Sequence, residues 1–115
     1  MAVGAALAAT VPAHASGSGQ SGPVGIGVIG TALHVREVRA TLDGWHAGER
    51  ARVSLWRGGS RVKTVTKWKD TSSKQAAGLK YEIATWRINR RFPDGSQLCV
   101  NFQGRDQRAC ATIHS

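Results

Sequence analysis

The sequence predicts an all-β protein: an antiparallel two-sheet sandwich, immunoglobulin-like in broad form, with six or seven strands. Three observations predict it. Apolar and polar residues alternate over short runs, turn-forming Gly, Pro and Asp residues separate those runs, and no segment of useful length carries a helical apolar repeat.

Residues 1–15, MAVGAALAATVPAHA, contain no Asp, Glu, Lys or Arg and end in Ala13-His14-Ala15. That small-x-small ending is the pattern read by signal peptidase, so the stretch predicts a secretion signal and an extracellular product. No other window approaches the roughly 20 apolar residues that a membrane-spanning helix needs. What remains suffices for one domain with a single core and is too short for two. The formal net charge is +9. Such a chain favours acidic partners such as teichoic acids, nucleic acid or an anionic protein face, and charge alone does not choose among them.

Next comes SGSGQSG, a flexible linker by composition, and then PVGIGVIG, aliphatic with glycine between. Gly25 and Gly27 weaken an autonomous strand and permit close approach by another backbone. The segment therefore reads either as an edge strand of its own sandwich or as an arm that adds to a partner. The expectation adopted is a Gly-rich arm over residues 16–30, with Val24, Ile26, Val28 and Ile29 binding the partner, and a sandwich domain over residues 31–115.

Between Thr31 and Asp43 the apolar positions are Leu33 and Val35, then Val38, Ala40 and Leu42. The phase slips at Arg36-Glu37, which a β-bulge absorbs. In ERARVSLWRGGSRVKTVTKWK, a two-residue Gly58-Gly59 loop sets Leu55 opposite Val62, Val53 opposite Thr64 and Ala51 opposite Thr66. The other face then carries Arg50 opposite Lys67, Ser54 opposite Lys63 and Trp56 opposite Arg61, with Arg52 nearby. Like charges across a ladder are destabilising. The face of Arg50, Arg52, Trp56, Arg61, Lys63 and Lys67 is thus a candidate binding surface, or else a solvated face that blocks edge pairing.

After a polar loop, Leu79, Tyr81 and Ile83 share one phase and Trp86 and Ile88 the other, predicting a second kink near Ala84. Trp68 and Trp86 are expected in the core, Trp45 over a loop and Trp56 exposed. Phe92-Pro93-Asp94-Gly95-Ser96 is a turn. In the last hairpin, a Gly104-Arg105 turn puts Cys99 opposite Cys110, within reach of a disulfide on the face away from Leu98, Val100 and Phe102. Two cysteines in an exported chain read as such a bridge.

The residues FPDGSQLCV and ACATIH, with the leader, the glycine-rich arm and a compact β-domain, resemble small exported proteins of filamentous soil bacteria. Within those, the organisation is similar to the adaptor subunits of umbrella toxin particles. The resemblance implies an adaptor bridging a lectin-like subunit and a large toxin-bearing subunit, with the arm around Val24, Ile26, Val28 and Ile29 as the inserting segment.

Catalysis finds no footing. Glu82, His34, His46, His114, Arg87 and Arg90 could serve a ribonuclease-like reaction, yet no motif joins them, and the chain has no GxSxG, HExxH, P-loop or paired-cysteine metal signature. The sequence therefore predicts no catalytic residue, cofactor or metal, and no homo-oligomer is implied. The function expected is secreted protein–protein interaction, as an adaptor in an antibacterial toxin assembly. The alternatives are a hydrolase inhibitor or a cationic binder of cell wall or nucleic acid.

Overall fold

The computed structural model describes residues 17–114. Among these residues, ten strands form two antiparallel sheets: β1 (Gly17–Ser21), β2 (Val24–Thr31), β3 (His34–Asp43), β4 (Arg50–Arg57), β5 (Ser60–Thr64), β6 (Lys69–Asp70), β7 (Ser72–Ala76), β8 (Leu79–Arg91), β9 (Gln97–Phe102) and β10 (Arg108–Thr112). The first sheet has the order β1-β2-β3-β8-β7. The second runs β10-β9-β4-β5, with β6 also pairing with β4. The protein is an all-β two-sheet sandwich with more strands than the alternation alone suggests. Among the described residues, no helix is long and apolar enough to cross a membrane.

Strand alternation supplies the core. Val38, Ala40 and Leu42 of β3 meet Val53 and Leu55 of β4 and Leu98, Val100 and Phe102 of β9, all buried. Val24, Ile26 and Val28 of β2 join them at no more than 4% exposure. This corrects the expectation of a partner-binding arm. Residues 24–31 are the protein's own strand, paired from Val24↔Leu42 to Thr31↔His34, and only Ile29 keeps a half-buried side chain on the other face. The preceding glycines also form a strand. A Cβ on Gly19 would stand 2.1 Å from the carbonyl oxygen of Cys110, so β1 lies closely over β10. Glycine does admit another backbone here, and that backbone belongs to the same chain. The division at Thr31 thus has no counterpart in the fold. The leader expected over residues 1–15 lies outside the described residues.

The slip at Arg36-Glu37 is present: the register of β3 shifts between Val35 and Glu37 against β8, and between Ile29 and Gly30 on β2. The kink near Ala84 is not. From Tyr81 to Arg87 the ladder with β3 is unbroken, so Glu82 and Ala84 face inward with Trp86 and Ile88 packed on the core margin. Leu79, Tyr81 and Ile83 consequently face outward. Apolar residues occupy both phases of this strand, and the buried Glu82 is accommodated by hydrogen bonds, which removes the need for a slip.

Gly58 and Gly59 take φ of 58° and 82°, as a two-residue type I′ loop requires, and Trp56↔Arg61 pairs as expected. Beyond it a bulge at Val62 displaces the ladder to Leu55↔Lys63 and Ser54↔Thr64. The Leu55–Val62 and Val53–Thr64 pairs therefore do not form. The amides of Val65 and Thr66 both donate to the Val53 carbonyl, and the chain then leaves the ladder. It returns as β6, which sets Arg50 opposite Asp70 and Ala51 opposite Lys69, displacing the expected Arg50–Lys67 and Ala51–Thr66 pairs.

In the last hairpin the register holds, with Cys99↔Cys110, Leu98↔Ala111 and Val100↔Ala109, and the Cys99–Cys110 disulfide is formed. The turn differs. Arg105 N donates to Phe102 O, so Gln103-Gly104 are its central residues, and Gly104 at φ 83° occupies the type II position that wants glycine. The Pro93–Ser96 turn closes as read, with Ser96 N donating to Pro93 O.

Candidate functional site

The outward face of the first sheet follows from its ladders. Gln20, Gly25, Thr41, Ile83 and Ser72 form one cross-strand row, Ser18, Gly27, Arg39 and Thr85 the next, and Asp43, Tyr81 and Lys74 a third. Gly25 and Gly27 contribute no side chains, so the face is recessed into a trough along β2. A hollow of about 530 Å³ lies over these glycines, with Gln20, Arg39 and Thr41 on its walls. Arg39 and Thr41 also wall a neighbouring hollow of about 670 Å³, completed by Asp43, Leu79, Lys80, Tyr81 and Ile83. A third, of about 400 Å³, sits at the double bulge among Ile29, Arg36, Glu37, Arg87 and Asn89. Leu79 is 69% exposed. Charge on this face is mixed, because Arg39 is paired with Glu37 at 2.6 Å.

On the second sheet the predicted basic residues separate. Arg50 is paired with Asp70 at 3.0 Å. Lys67 lies outside the strands and Lys63, shifted by the bulge, stands opposite Leu55. Arg52, Trp56 and Arg61 do share the outward face, in rows with residues of β9 and β10: Arg108–Asn101–Arg52, Cys110–Cys99–Ser54 and Thr112–Gln97–Trp56–Arg61. Sequence reasoning missed two members of this face. The Arg108 guanidinium stacks 3.6 Å from the Trp56 ring centroid, and that of Arg52 lies 4.3 Å from Trp68. Trp56 is therefore half-buried rather than exposed, and Trp68 stacks outside rather than filling the core. Reaching Trp56 from the Asn101 row, Arg108 crosses the disulfide row, where Cys99 and Ser54 are only 1% and 3% exposed. The disulfide is on the outward face as expected, but under cover. Only the three-dimensional order, with β9 between β10 and β4, brings Arg108 onto the same face as Trp56, so Arg108 carries no local signal in the sequence.

Glu82 is the one buried carboxylate, 2% exposed, among the described residues. Thr71 Oγ1 donates to it at 2.8 Å, Ser73 Oγ at 2.5 Å and the His46 amide at 3.0 Å. Burial pushes its carboxyl upward, and the hydrogen bonds from Ser73, Thr71 and His46, with the adjacent His46 ring, outweigh this and hold it below the ordinary carboxylate value. The arrangement is a clamp: it ties the loop after β3 and the crossing between the sheets to β8. The Trp45 indole adds a bond to Lys74 O at 2.9 Å and stacks with Lys80. The His46 ring bonds Asp43 O at 3.0 Å rather than facing the carboxylate as a base would. His34 and Arg90 lie toward the opposite end of β3 and β8, where Val35 pairs with Arg90, so the polar candidates for catalysis are not assembled. Among the described residues, no three His, Cys, Asp or Glu side chains group as metal ligands.

Comparison with protein-family models, with curated proteins and with solved structures finds no match for this chain.

Proposed function

We propose that this chain is a secreted, non-catalytic interaction module that docks a partner protein through the outward face of the first sheet. One observation carries the reading. Leu79, Tyr81 and Ile83 form an apolar strip on the solvent side of β8, beside a trough floored by Gly25 and Gly27, although the core is already filled from the other face. A folding requirement does not explain that strip, whereas a partner laid across the sheet would cover it. The disulfide suits an oxidising, extracellular compartment. The resemblance to toxin-particle adaptors names the partners to try, a lectin-like subunit and a large toxin-bearing subunit. The inserting segment of that reading is replaced by a face, because Val24, Ile26 and Val28 are spent on the core.

Gly27→Gln tests it. Nothing lies within 4 Å of a Cβ at Gly27 and its φ is ordinary, so the side chain fills the trough without disturbing the fold. The native mass of the protein in culture supernatant is compared with that of the variant. An assembly for the wild type and a folded monomer for the variant support the proposal. Two monomers, or two equal assemblies, remove it.

A further inference from the structure

The outward face of the second sheet is the other unabsorbed feature. Of its cations, Arg50 is neutralised by Asp70, whereas Arg52, Arg61 and Arg108 meet no carboxylate among the described residues. Two of these are held rather than free. Stacking on Trp56 and Trp68 fixes the guanidinium planes of Arg108 and Arg52, which lowers the entropy lost on binding and leaves N–H groups at the guanidinium edge to donate. Beneath them, Arg52 Nε and Trp56 Nε1 are buried donors with no acceptor among the described residues. The indole N–H dipole adds to the guanidinium charge on a face that already lacks compensation.

We infer that this face binds a linear phosphate polyanion without bases, using Arg52, Arg61 and Arg108. Phosphate oxygens match the guanidinium edges in charge and geometry. A nucleic acid would need open aromatic platforms for its bases, and here each indole already has a guanidinium on it. The inference goes beyond the docking face, since it concerns the opposite side of the sandwich and a different class of ligand.

The test uses the purified full chain, disulfide intact, titrated with medium-chain inorganic polyphosphate by calorimetry at several salt concentrations. The Arg52→Gln/Arg108→Gln variant is compared with Arg36→Gln/Arg91→Gln, which removes the same charge from the first sheet. The expected result is a loss on the order of tenfold for the first pair and less than about threefold for the second, with the slope of log K against log salt reduced by about 1.5 for the first pair only. Arg61→Gln, which removes neither stacked guanidinium, gives a smaller loss in the same direction and guards against misfolding of the double variant. Equal losses for the two pairs, no polyphosphate binding near physiological salt, or tighter binding of an oligothymidine of matched charge would each overturn the inference. No protein partner enters the experiment, so its outcome is independent of the assembly test on the other face.

Discussion

Gly19→Ala decides whether the glycine-rich segment belongs to the fold. The added Cβ would lie 2.1 Å from the Cys110 carbonyl oxygen and 3.1 Å from its carbon, where ordinary contact begins near 3.4 Å. The obstacle is backbone, pinned by the ladder to β9 and by the disulfide, so it cannot rotate away as a side chain would. β1 must instead lift off β10 by more than an ångström, loosening the seam that covers Ala111 and Cys110. Overpacking of this kind costs about 1–3 kcal/mol. For a domain of this size 1 kcal/mol moves Tm by about 4–8 °C, so a mid-range cost of 2 kcal/mol lowers it by about 8–16 °C. Gly27→Ala is the matched control: its Cβ meets nothing within 4 Å, and relief of glycine entropy should stabilise by about 0.4–1 kcal/mol. Thermal unfolding of the oxidised protein, followed by near-ultraviolet circular dichroism, measures both. If Gly19→Ala melts with the wild type, β1 is not seated on β10 and a free arm regains its standing.

Three further outcomes follow from the same contacts. The folded Glu82 carboxyl is held below its ordinary value, so its stabilising effect is complete above the ordinary carboxylate range and is lost as pH falls through the depressed folded value. Glu82→Gln should therefore be less stable than wild type at pH 7, by roughly 1–3 kcal/mol, with the difference shrinking toward pH 3 in urea titrations; a constant difference would contradict the clamp. Replacing both cysteines with serine removes an 11-residue closure and should cost about 3 kcal/mol in the chain-entropy model, read as a lower urea midpoint. Arg108→Ala should speed reduction of the disulfide by dithiothreitol several-fold, because the Arg108 side chain reaches Trp56 across the row that holds Cys99 and Cys110; an unchanged rate would show that the cover lies elsewhere.

Local chemistry was legible within single hairpins and turns, even where the turn residues themselves shift, as at Gln103-Gly104. Gly58-Gly59, Pro93–Ser96 and the pairing of Cys99 with Cys110 each follow from neighbours a few residues apart, and the structure keeps them. The bulge at Arg36-Glu37 was visible because a phase slip in one strand is a local event. Three failures share a different cause, competition from residues distant in sequence. Glu82 takes a core-facing position only because Thr71, Ser73 and the His46 amide converge on it. Val62 bulges because the chain beyond it folds back to bond Val53. Gly19, read as linker, and Gly25, read as a weak point in a strand, admit respectively the Cys110 backbone and the Thr41 hydroxyl, so the plain segment is plain because its neighbours are close.

The two outward faces differ in a way that separates their roles. On the first sheet Arg39 is matched by Glu37, and Asp43 stands beside Lys80 along the same groove, so the field there is mixed and the apolar strip with its glycine floor dominates what a partner meets. On the second, acids withdraw to the margins, Asp70 with Arg50 and Glu49 with Arg105, and the centre is left to guanidinium stacked on indole. Shape and apolar contact on the first side predict a partner held with little dependence on salt. Uncompensated charge on the second predicts binding that weakens steeply with salt. A single core of β2, β3, β4 and β9 side chains supports both, so substitutions confined to one face should leave binding at the other unchanged, and loss of both from a single outward-facing variant would mean that the faces are not independent.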